Sequence, residues 1–277
     1  MVIAARMRRT ARRAVITAMW LALSLVYLFP YIWMVMTGVR DPLDTLSLPP
    51  KLWFHPTLAG FDTIFRTTGF QHYLLNSAFV AVSATALVIA AAAPAAYALA
   101  HLRIRGQPFL FSILVARMVP GIAIVVPIYL AASKLGQLDT YQVLILIYAA
   151  FNLPFAIWLL RSFFREIQPE LRDAAIVDGC GELTVFRRIM LPLASGGLVA
   201  TSVFVFIAAW NEFLFALVLS NSNAATAPLA ILGFRTEYGI QWGAIGAAAL
   251  LVSTPVVAFA LLMQRYLVRG LTMGSIK

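Results

Sequence analysis

RDAAIVDGCGELTVFRRIMLP, residues 172–192, is a polar interruption in a chain that is otherwise almost continuously apolar. Six of its 21 residues are charged, and two glycines flank Cys180, the single cysteine of the sequence. Glycine adopts the backbone conformations found at helix ends, so Gly179 and Gly181 predict the end of one helix. The run ELTVFRRIM predicts a second short helix, and Pro192 breaks that pattern before the next apolar block.

Small side chains lie beside charged ones in the first of these two helices. Leu171, Ala174, Ala175 and Asp178 recur at the spacing of successive helical turns, which places the two alanines together. Because methyl-sized side chains let another surface come close, we interpret the stretch as a compact docking element. It consists of two short helices joined by a glycine elbow.

The composition of the whole chain is that of a membrane protein. Hydrophobic residues form 62% and charged residues 12% of the 277 residues, whereas soluble domains contain about 45–50% and about 25%. Crossing a bilayer takes about 20 apolar residues per helix. Six blocks reach that length: 14–36, 77–100, 108–132, 141–160, 193–220 and 243–263. We therefore predict an all-α polytopic fold with six transmembrane helices in one domain, residues 14–263.

The net charge of +10 is distributed as a topology signal. With six spans, 15 of the 21 basic residues lie on the side of the two termini, five lie on the other side, and Arg117 lies within a span. Basic residues accumulate in cytoplasmic loops, so we predict that the basic amino terminus (1–13), the tail (264–277) and the docking element are cytoplasmic. This pattern argues against a nucleic-acid partner. The first apolar block is too long for a cleavable signal peptide.

The docking element resembles a known family motif. Asp173-Ala174-Ala175, three residues, Gly179, nine residues, Ile189, one residue and Leu191-Pro192 is similar to the EAA loop of permease subunits of ABC importers. Asp173 stands where that family usually has Glu, which keeps the charge and shortens the side chain. Stretches at 116–140, 162–175, 206–219 and 265–272 resemble the carbohydrate branch, of the maltose-permease type.

The resemblance implies a type I ABC importer permease fold and a multi-pass protein of the cell inner membrane. It implies a second permease subunit, a dimer of ATPase subunits and an extracytoplasmic solute-binding protein as partners in the lipid bilayer. It also implies that residues of the loop at 161–192 couple the chain to the ATPase: Glu170, Asp173, Ala174, Ala175, Gly179, Ile189, Leu191 and Pro192. The sequence contains no phosphate-binding G-x-x-x-x-G-K-[ST] motif. We therefore expect no enzyme activity, cofactor or metal on this chain, with ATP and Mg bound by the partner ATPase.

Polar residues within the predicted spans are candidates for the translocation pathway. They are Arg117, Tyr129, Asn152, Trp210, Asn211 and Glu212. Counting along straight helices separates Arg117 from Glu212, so direct pairing of these two charges is the less favoured arrangement. Polar lining of a sugar pathway and polar contacts between helices remain equal alternatives. Tyr129, Tyr148 and Phe151 could stack on a sugar ring, although packing is the commoner role of such residues.

Two other classes of membrane protein fit the sequence less well. A secondary transporter would carry paired repeats and coupling carboxylates at the midplane, where only Glu212 qualifies. A membrane-embedded enzyme would need a catalytic cluster, and His55, His72 and His101 are scattered. Within the importer class, a non-sugar solute such as glycerol phosphate remains the alternative cargo.

Overall fold

A computed structural model describes the backbone of residues 2–45, 47, 53–102, 111–112, 115, 118–237 and 239–273. It describes the side chains of the same residues except 2–11, 43, 67 and 262–273. The helices are α1 Val2–Gly38, α2 Pro42–Thr45, α3 Ala59–Asp62, α4 Phe70–His101, α5 Gly121–Lys134, α6 Tyr141–Glu166, α7 Pro169–Val177, α8 Glu182–Val185, α9 Leu191–Leu193, α10 Ser195–Trp210, α11 Leu214–Leu219, α12 Ala227–Ala230 and α13 Trp242–Met273.

Short irregular elements join some of these helices. Thr63–Thr67 and Phe186–Met190 are π-helical, and Ile231–Phe234 is a 3-10 helix. The strands β1, Arg235–Thr236, and β2, Gly239–Ile240, form an antiparallel hairpin. The fold is therefore helical throughout its longer elements, which confirms the all-α prediction.

Among the described residues, four helices are long and apolar enough to cross a membrane. They are Arg12–Gly38, Phe70–His101, Tyr141–Glu166 and Trp242–Leu261. Each overlaps one of the predicted spans, namely the first, second, fourth and sixth. The polytopic prediction is confirmed for these four.

The third and fifth predicted spans differ from the structure. Helix α5 has 14 residues and is roughly 21 Å long, which is shorter than the hydrocarbon core of about 30 Å. Much of the predicted block 108–132 upstream of α5 lies outside the described residues. The predicted block 193–220 is not one helix, because α10 ends at Trp210 and α11 begins at Leu214. A bend of 76° also separates α10 from the helical segment Glu182–Leu193 that precedes it. A count of six transmembrane helices therefore stays a prediction.

The chain divides into two compact units. The first comprises residues 1–69 and 233–251, and the second comprises residues 70–232 and 252–277. Glycines bring backbones close together in the first unit, since a Cβ added to Gly246 would lie 2.6 Å from the Gly38 nitrogen. A Cβ on Gly60 would lie 2.5 Å from the Gly243 oxygen. Such small-residue contacts are typical of membrane helix packing.

The second unit is built around α4, α6 and α10. Alanines along α4, including Ala81, Ala84, Ala92 and Ala96, are fully buried. Their small size lets α6 approach closely, and larger side chains of α6 such as Leu160 and Phe164 fill the space between the helices. One end of this core reaches the docking element, and the other end contains Tyr148, Trp210 and Phe215.

Candidate coupling loop and solute pocket

The docking element folds as two helices joined by a glycine elbow. Helix α7 begins with Pro169 at its first turn, where proline is preorganised, and Glu170 in that turn complements the helix dipole. At its end, the amide of Cys180 donates to the Ala175 oxygen (2.9 Å) and that of Gly179 donates to the Ile176 oxygen (3.0 Å). Gly179 has a φ of +87°. This is a Schellman end, in which glycine supplies the left-handed residue.

An ion pair closes the elbow between α7 and α8. The guanidinium of Arg172 donates from Nε and from one terminal nitrogen to the two carboxylate oxygens of Glu182, both at 2.9 Å. Its other terminal nitrogen donates to Asp173 Oδ1 at 2.9 Å. The hydrogen bonds from Arg172 outweigh the effect of burial and hold the pKa of Glu182 below its ordinary value. The same bonds raise the pKa of Arg172. We call the pair of Arg172 and Glu182 the elbow clamp.

A hydrogen bond joins the elbow clamp to helix α4. The hydroxyl of Tyr97 donates to Glu182 Oε1 at 2.5 Å. The Tyr97 ring packs edge-on against Phe164 of α6 (centroids 5.8 Å apart) and lies 5.2 Å from the Phe186 ring. Nε2 of His101 also lies 2.8 Å from the carbonyl oxygen of Phe164. The docking element is therefore fixed to the ends of α4 and α6 by polar and aromatic contacts.

A pocket lies at the break between α10 and α11. Its volume is about 390 Å³, and its lining includes Tyr148, Phe151 and Asn152 of α6, together with Glu212 and Phe215. The Glu212 carboxylate accepts hydrogen bonds from the amides of Phe215 (3.1 Å) and Ala216 (3.3 Å). These bonds satisfy the first free amides of α11, so the Glu212 side chain caps the start of that helix.

Tyr148 is the most enclosed polar side chain of this pocket. It is 1% exposed, and its hydroxyl has no hydrogen-bond partner among the described residues. It interacts electrostatically with Glu212. Asn152, one turn along α6, donates from Nδ2 to the Tyr148 carbonyl oxygen at 2.8 Å. The pocket therefore combines hydrogen-bonding groups with unused capacity and an aromatic wall.

The family assignment rests on the sequence over most of the chain. Residues 88–273 match the family described as "Binding-protein-dependent transport system inner membrane component". The chain belongs to this family of ABC importer permeases. It is therefore a multi-pass inner-membrane component of a transport system that depends on a binding protein.

Two relatives and one solved structure illustrate the membership of the permease in this family. It is 62% identical over 277 residues to a probable ABC transporter permease, y4oR, of Sinorhizobium fredii, with all of both chains covered. It is 35% identical to the trehalose/maltose permease MalG of Thermococcus litoralis, covering 92% of this chain and 93% of that one. A bacterial ABC transporter involved in alginate import has the same fold, with a TM-score of 0.75 and 22% identity. That match covers 91% of this chain and 95% of the other.

The structure separates the predicted coupling residues of the permease by exposure. Glu170, Asp173, Ala174, Gly179 and Pro192 are exposed. Ala175 is buried in the chain's own core, and Ile189 and Leu191 are half-buried against it. The two alanines therefore point in different directions, and only Ala174 is available to a partner. Sequence reasoning missed the elbow clamp, although charged residues on both sides of the glycines were a visible signal.

The predicted pathway residues of the permease are only partly brought together. Asn152 and Glu212 line the pocket. Trp210 is buried behind it and donates from Nε1 to the Val252 oxygen at 2.9 Å. The Asn211 side chain is exposed and donates to the Ile207 oxygen of its own helix. Tyr129 is 39% exposed on α5 and does not line the pocket. Arg117 lies outside the described residues, so its pairing with Glu212 stays untested.

Asp139 organises the loop that follows α11. Its carboxylate accepts hydrogen bonds from the amides of Asn221 (2.8 Å), Ser222 (3.3 Å), Asn223 (3.0 Å) and Ala224 (3.0 Å). Burial opposes ionisation of Asp139, but these four amides prevail and lower its pKa from 3.8 to about 2. The loop at 221–224 is thus wrapped around a single carboxylate, a role that sequence reasoning did not assign.

Proposed function

We propose that the chain forms half of the translocation pathway of an ATP-driven, binding-protein-dependent importer for a sugar or sugar-like solute. The observation that supports this function most directly is the structure of residues 161–192, the proposed coupling loop, which contains the docking element. Ala174 and Gly179 are exposed there on an elbow that the Arg172–Glu182 pair holds closed. Nothing lies within 4 Å of a Cβ built on Gly179, so the elbow presents a narrow, open surface. A groove on an ATPase subunit can close over such a surface.

The proposed complex divides the chemistry between subunits. Two permeases, identical or different, enclose the pathway, two ATPase subunits bind ATP and Mg and contact residues 161–192, and an extracytoplasmic binding protein delivers the solute. Both termini and the coupling loop face the cytoplasm, in agreement with the distribution of basic residues. Closure of the ATPase pair and loading of the binding protein would then bias the permease between two states from opposite sides of the membrane.

The proposed cargo is a carbohydrate. The resemblance to maltose-type permeases and the 35% identity to the trehalose/maltose permease support this choice. A glycerol phosphate or another non-sugar solute is the alternative. A secondary transporter fits poorly because family membership provides for a binding protein, which such a transporter does not need.

Two substitutions test the coupling loop. Ala174→Leu adds volume to the exposed face, and Gly179→Asp adds a Cβ and a charge at the elbow. Overpacking a tight interface or burying an unpaired charge costs about 1–3 kcal/mol, so we expect assembly with the ATPase to weaken roughly tenfold to a hundredfold. The measurements are retention of the ATPase subunit by the purified permease and uptake of labelled trehalose or maltose into cells.

Gly136→Asp is the matched control for the elbow substitution. Gly136 has a φ of +63°, and nothing lies within 4 Å of its Cβ position, so the backbone strain is similar to that at Gly179. It lies in the connection between α5 and α6, away from the coupling loop. Normal ATPase retention and uptake by both the Ala174 and Gly179 variants would remove the main support for the proposal.

A further inference from the structure

The pocket at the helix break contains a buried hydroxyl group without a hydrogen-bond partner among the described residues. Tyr148 is almost fully enclosed, and its hydroxyl makes no hydrogen bond within the part of the chain that the structure describes. Buried phenol groups nearly always have a partner, because leaving one unpaired is unfavourable. A hydroxyl in this position is therefore suited to a group that arrives from outside the chain.

Two further polar groups converge on the same space. Glu212 lines the pocket, and each oxygen of its carboxylate still has capacity to accept a hydrogen bond beyond those from the amides of α11. Asn152 lines it one helical turn after Tyr148, and within the described part of the chain its side-chain amide makes one hydrogen bond, from Nδ2 to the Tyr148 carbonyl oxygen. Tyr148 can donate or accept, Glu212 accepts, and Asn152 can do both. This combination matches the mixed donor and acceptor character of hydroxyl groups.

An aromatic wall completes the pocket. The rings of Phe151 and Phe215 lie with their centroids 4.7 Å apart and both line the space. The carbon–hydrogen faces of a sugar ring are apolar and pack on aromatic rings, while the edge of the sugar presents hydroxyls. Small-molecule sites usually combine such an apolar wall with a few convergent polar groups. The pocket also adjoins a discontinuous helix, the arrangement in which transporters commonly place solute sites.

The charge of the lining distinguishes between classes of solute. Among the described residues, the lining contains the carboxylate of Glu212 and no lysine or arginine. A phosphate or carboxylate on the solute would be repelled by Glu212 at this position, whereas a neutral hydroxyl would be attracted.

We propose that Tyr148, Asn152 and Glu212 form a contact site on this chain for the hydroxyl groups of a neutral sugar or polyol in transit. The proposal rests on the proposed function and adds to it a location and a preference for neutral over anionic solutes. Tyr148 contributes a hydroxyl to the solute, Glu212 accepts from it, and Phe151 and Phe215 pack on its apolar face.

Tyr148→Phe is the decisive variant because it removes one oxygen and nothing else. Among the described residues the hydroxyl makes no hydrogen bond, so a purely structural tyrosine would leave transport unchanged. We expect solute taken up per ATP hydrolysed to fall about 3- to 10-fold, the factor that corresponds to one hydrogen bond between neutral groups. Tyr27→Phe, at an 81% exposed position on α1, is the matched control.

The experiment uses the complete importer in proteoliposomes, with its binding protein and ATPase. Uptake of [14C]trehalose, [14C]maltose and [14C]glycerol 3-phosphate is measured together with ATP hydrolysis in the same vesicles. Glu212→Gln keeps an oxygen that can accept from α11 and removes the charge, so it should narrow the preference for the sugars over glycerol 3-phosphate. The unfolding temperature of the Tyr148 variant should equal or exceed that of the wild type.

Each outcome decides one part of the proposal. Equal uptake per ATP in the Tyr148 variant, the Tyr27 control and the wild type would overturn the contact site and leave the proposed function standing. A lower unfolding temperature for the Tyr148 variant would overturn it too, because the hydroxyl would then serve the fold. Faster uptake of glycerol 3-phosphate than of either sugar by the wild type would overturn the preference for neutral solutes. Uptake of none of the three would overturn the proposed function, and the contact site with it.

Discussion

Removing Glu182 should open the elbow of the coupling loop without disturbing the spans. Its carboxylate receives two hydrogen bonds from Arg172 across the glycine elbow and one from Tyr97 of α4. Glu182→Ala removes all three at once. Asp178→Ala is the matched control, because it removes a second carboxylate of the same loop at an exposed position.

The expected cost follows from the exposure of the partners. A hydrogen bond to a charged group contributes about 1.5–3 kcal/mol when it is shielded from water. The side chains of Arg172 and Glu182 are 22% and 36% exposed, so solvent screening reduces the ion pair to about 1 kcal/mol. The bond from Tyr97 adds about 1 kcal/mol. We therefore expect Glu182→Ala to lower the free energy of unfolding by about 2 kcal/mol and Asp178→Ala to change it by less than about 0.5 kcal/mol.

A double-mutant cycle separates the two contributions. With Arg172→Ala, Glu182→Ala and the double variant, the interaction energy between the two side chains should be about 1 kcal/mol. Equilibrium unfolding of the purified permease in mixed detergent gives the free energies, and ATP hydrolysis by the reconstituted complex reports on coupling. Additive effects within about 0.3 kcal/mol, or equal effects of the Glu182 and Asp178 variants, would refute the clamp as a source of rigidity.

Three further predictions concern other parts of the chain. Asp139→Ala should loosen the loop at 221–224 and speed its proteolysis. Because the folded pKa of Asp139 is about 2, below 3.8, its contribution to stability is present above pH 3.8 and is lost as the pH falls through about 2. Proteolysis of the Asp139→Ala variant at the wild-type rate at neutral pH would contradict this role. Gly246→Ala should destabilise the first unit by about 1–3 kcal/mol through its clash with Gly38, whereas Gly196→Ala, where a Cβ meets nothing within 4 Å, should not. The unfolding temperatures of the Gly246→Ala and Gly196→Ala variants test this difference. Deleting residues 270–277 should leave membrane insertion intact and lower coupled ATP hydrolysis, and full transport by the truncated chain would count against it.

Local signals in the sequence were sufficient to predict the two short helices and the glycine elbow of the docking element. Glycine at a helix end and proline after a polar run act within a few residues, so Gly179 and the two flanking helices could be located without tertiary information. The elbow clamp could not, because Arg172 and Glu182 are ten residues apart and meet only when the chain reverses at the elbow. The burial of Ala175 could not be predicted either, because it depends on the core that α4 and α6 form in the folded chain.

Hydropathy predicted the four spans that the structure confirms, but it did not predict the helix break within the fifth block. The apolar run around Glu212 looked continuous in a window of span length, and the two adjacent polar residues Asn211 and Glu212 did not interrupt it enough. In the structure the carboxylate of Glu212 binds the amides of the following helix and makes the break stable. A side chain that satisfies backbone groups in this way cannot be recognised from average hydropathy.

Helix α6 connects the two proposed sites, the pocket and the coupling loop. Tyr148 and Asn152 line the pocket near its beginning, and Phe164 packs against Tyr97 at the coupling loop near its end. Sixteen residues from Tyr148 to Phe164 correspond to roughly 24 Å along the helix axis. Pro154 lies between them within the helix, where it removes one backbone hydrogen bond and favours bending. Because α6 also packs along the alanine-rich face of α4, a displacement of the coupling loop must either move both helices together or bend α6 near Pro154. Either response changes the surroundings of Tyr148, so a pocket and a docking element on one pair of packed helices are suited to act as the two ends of one switch.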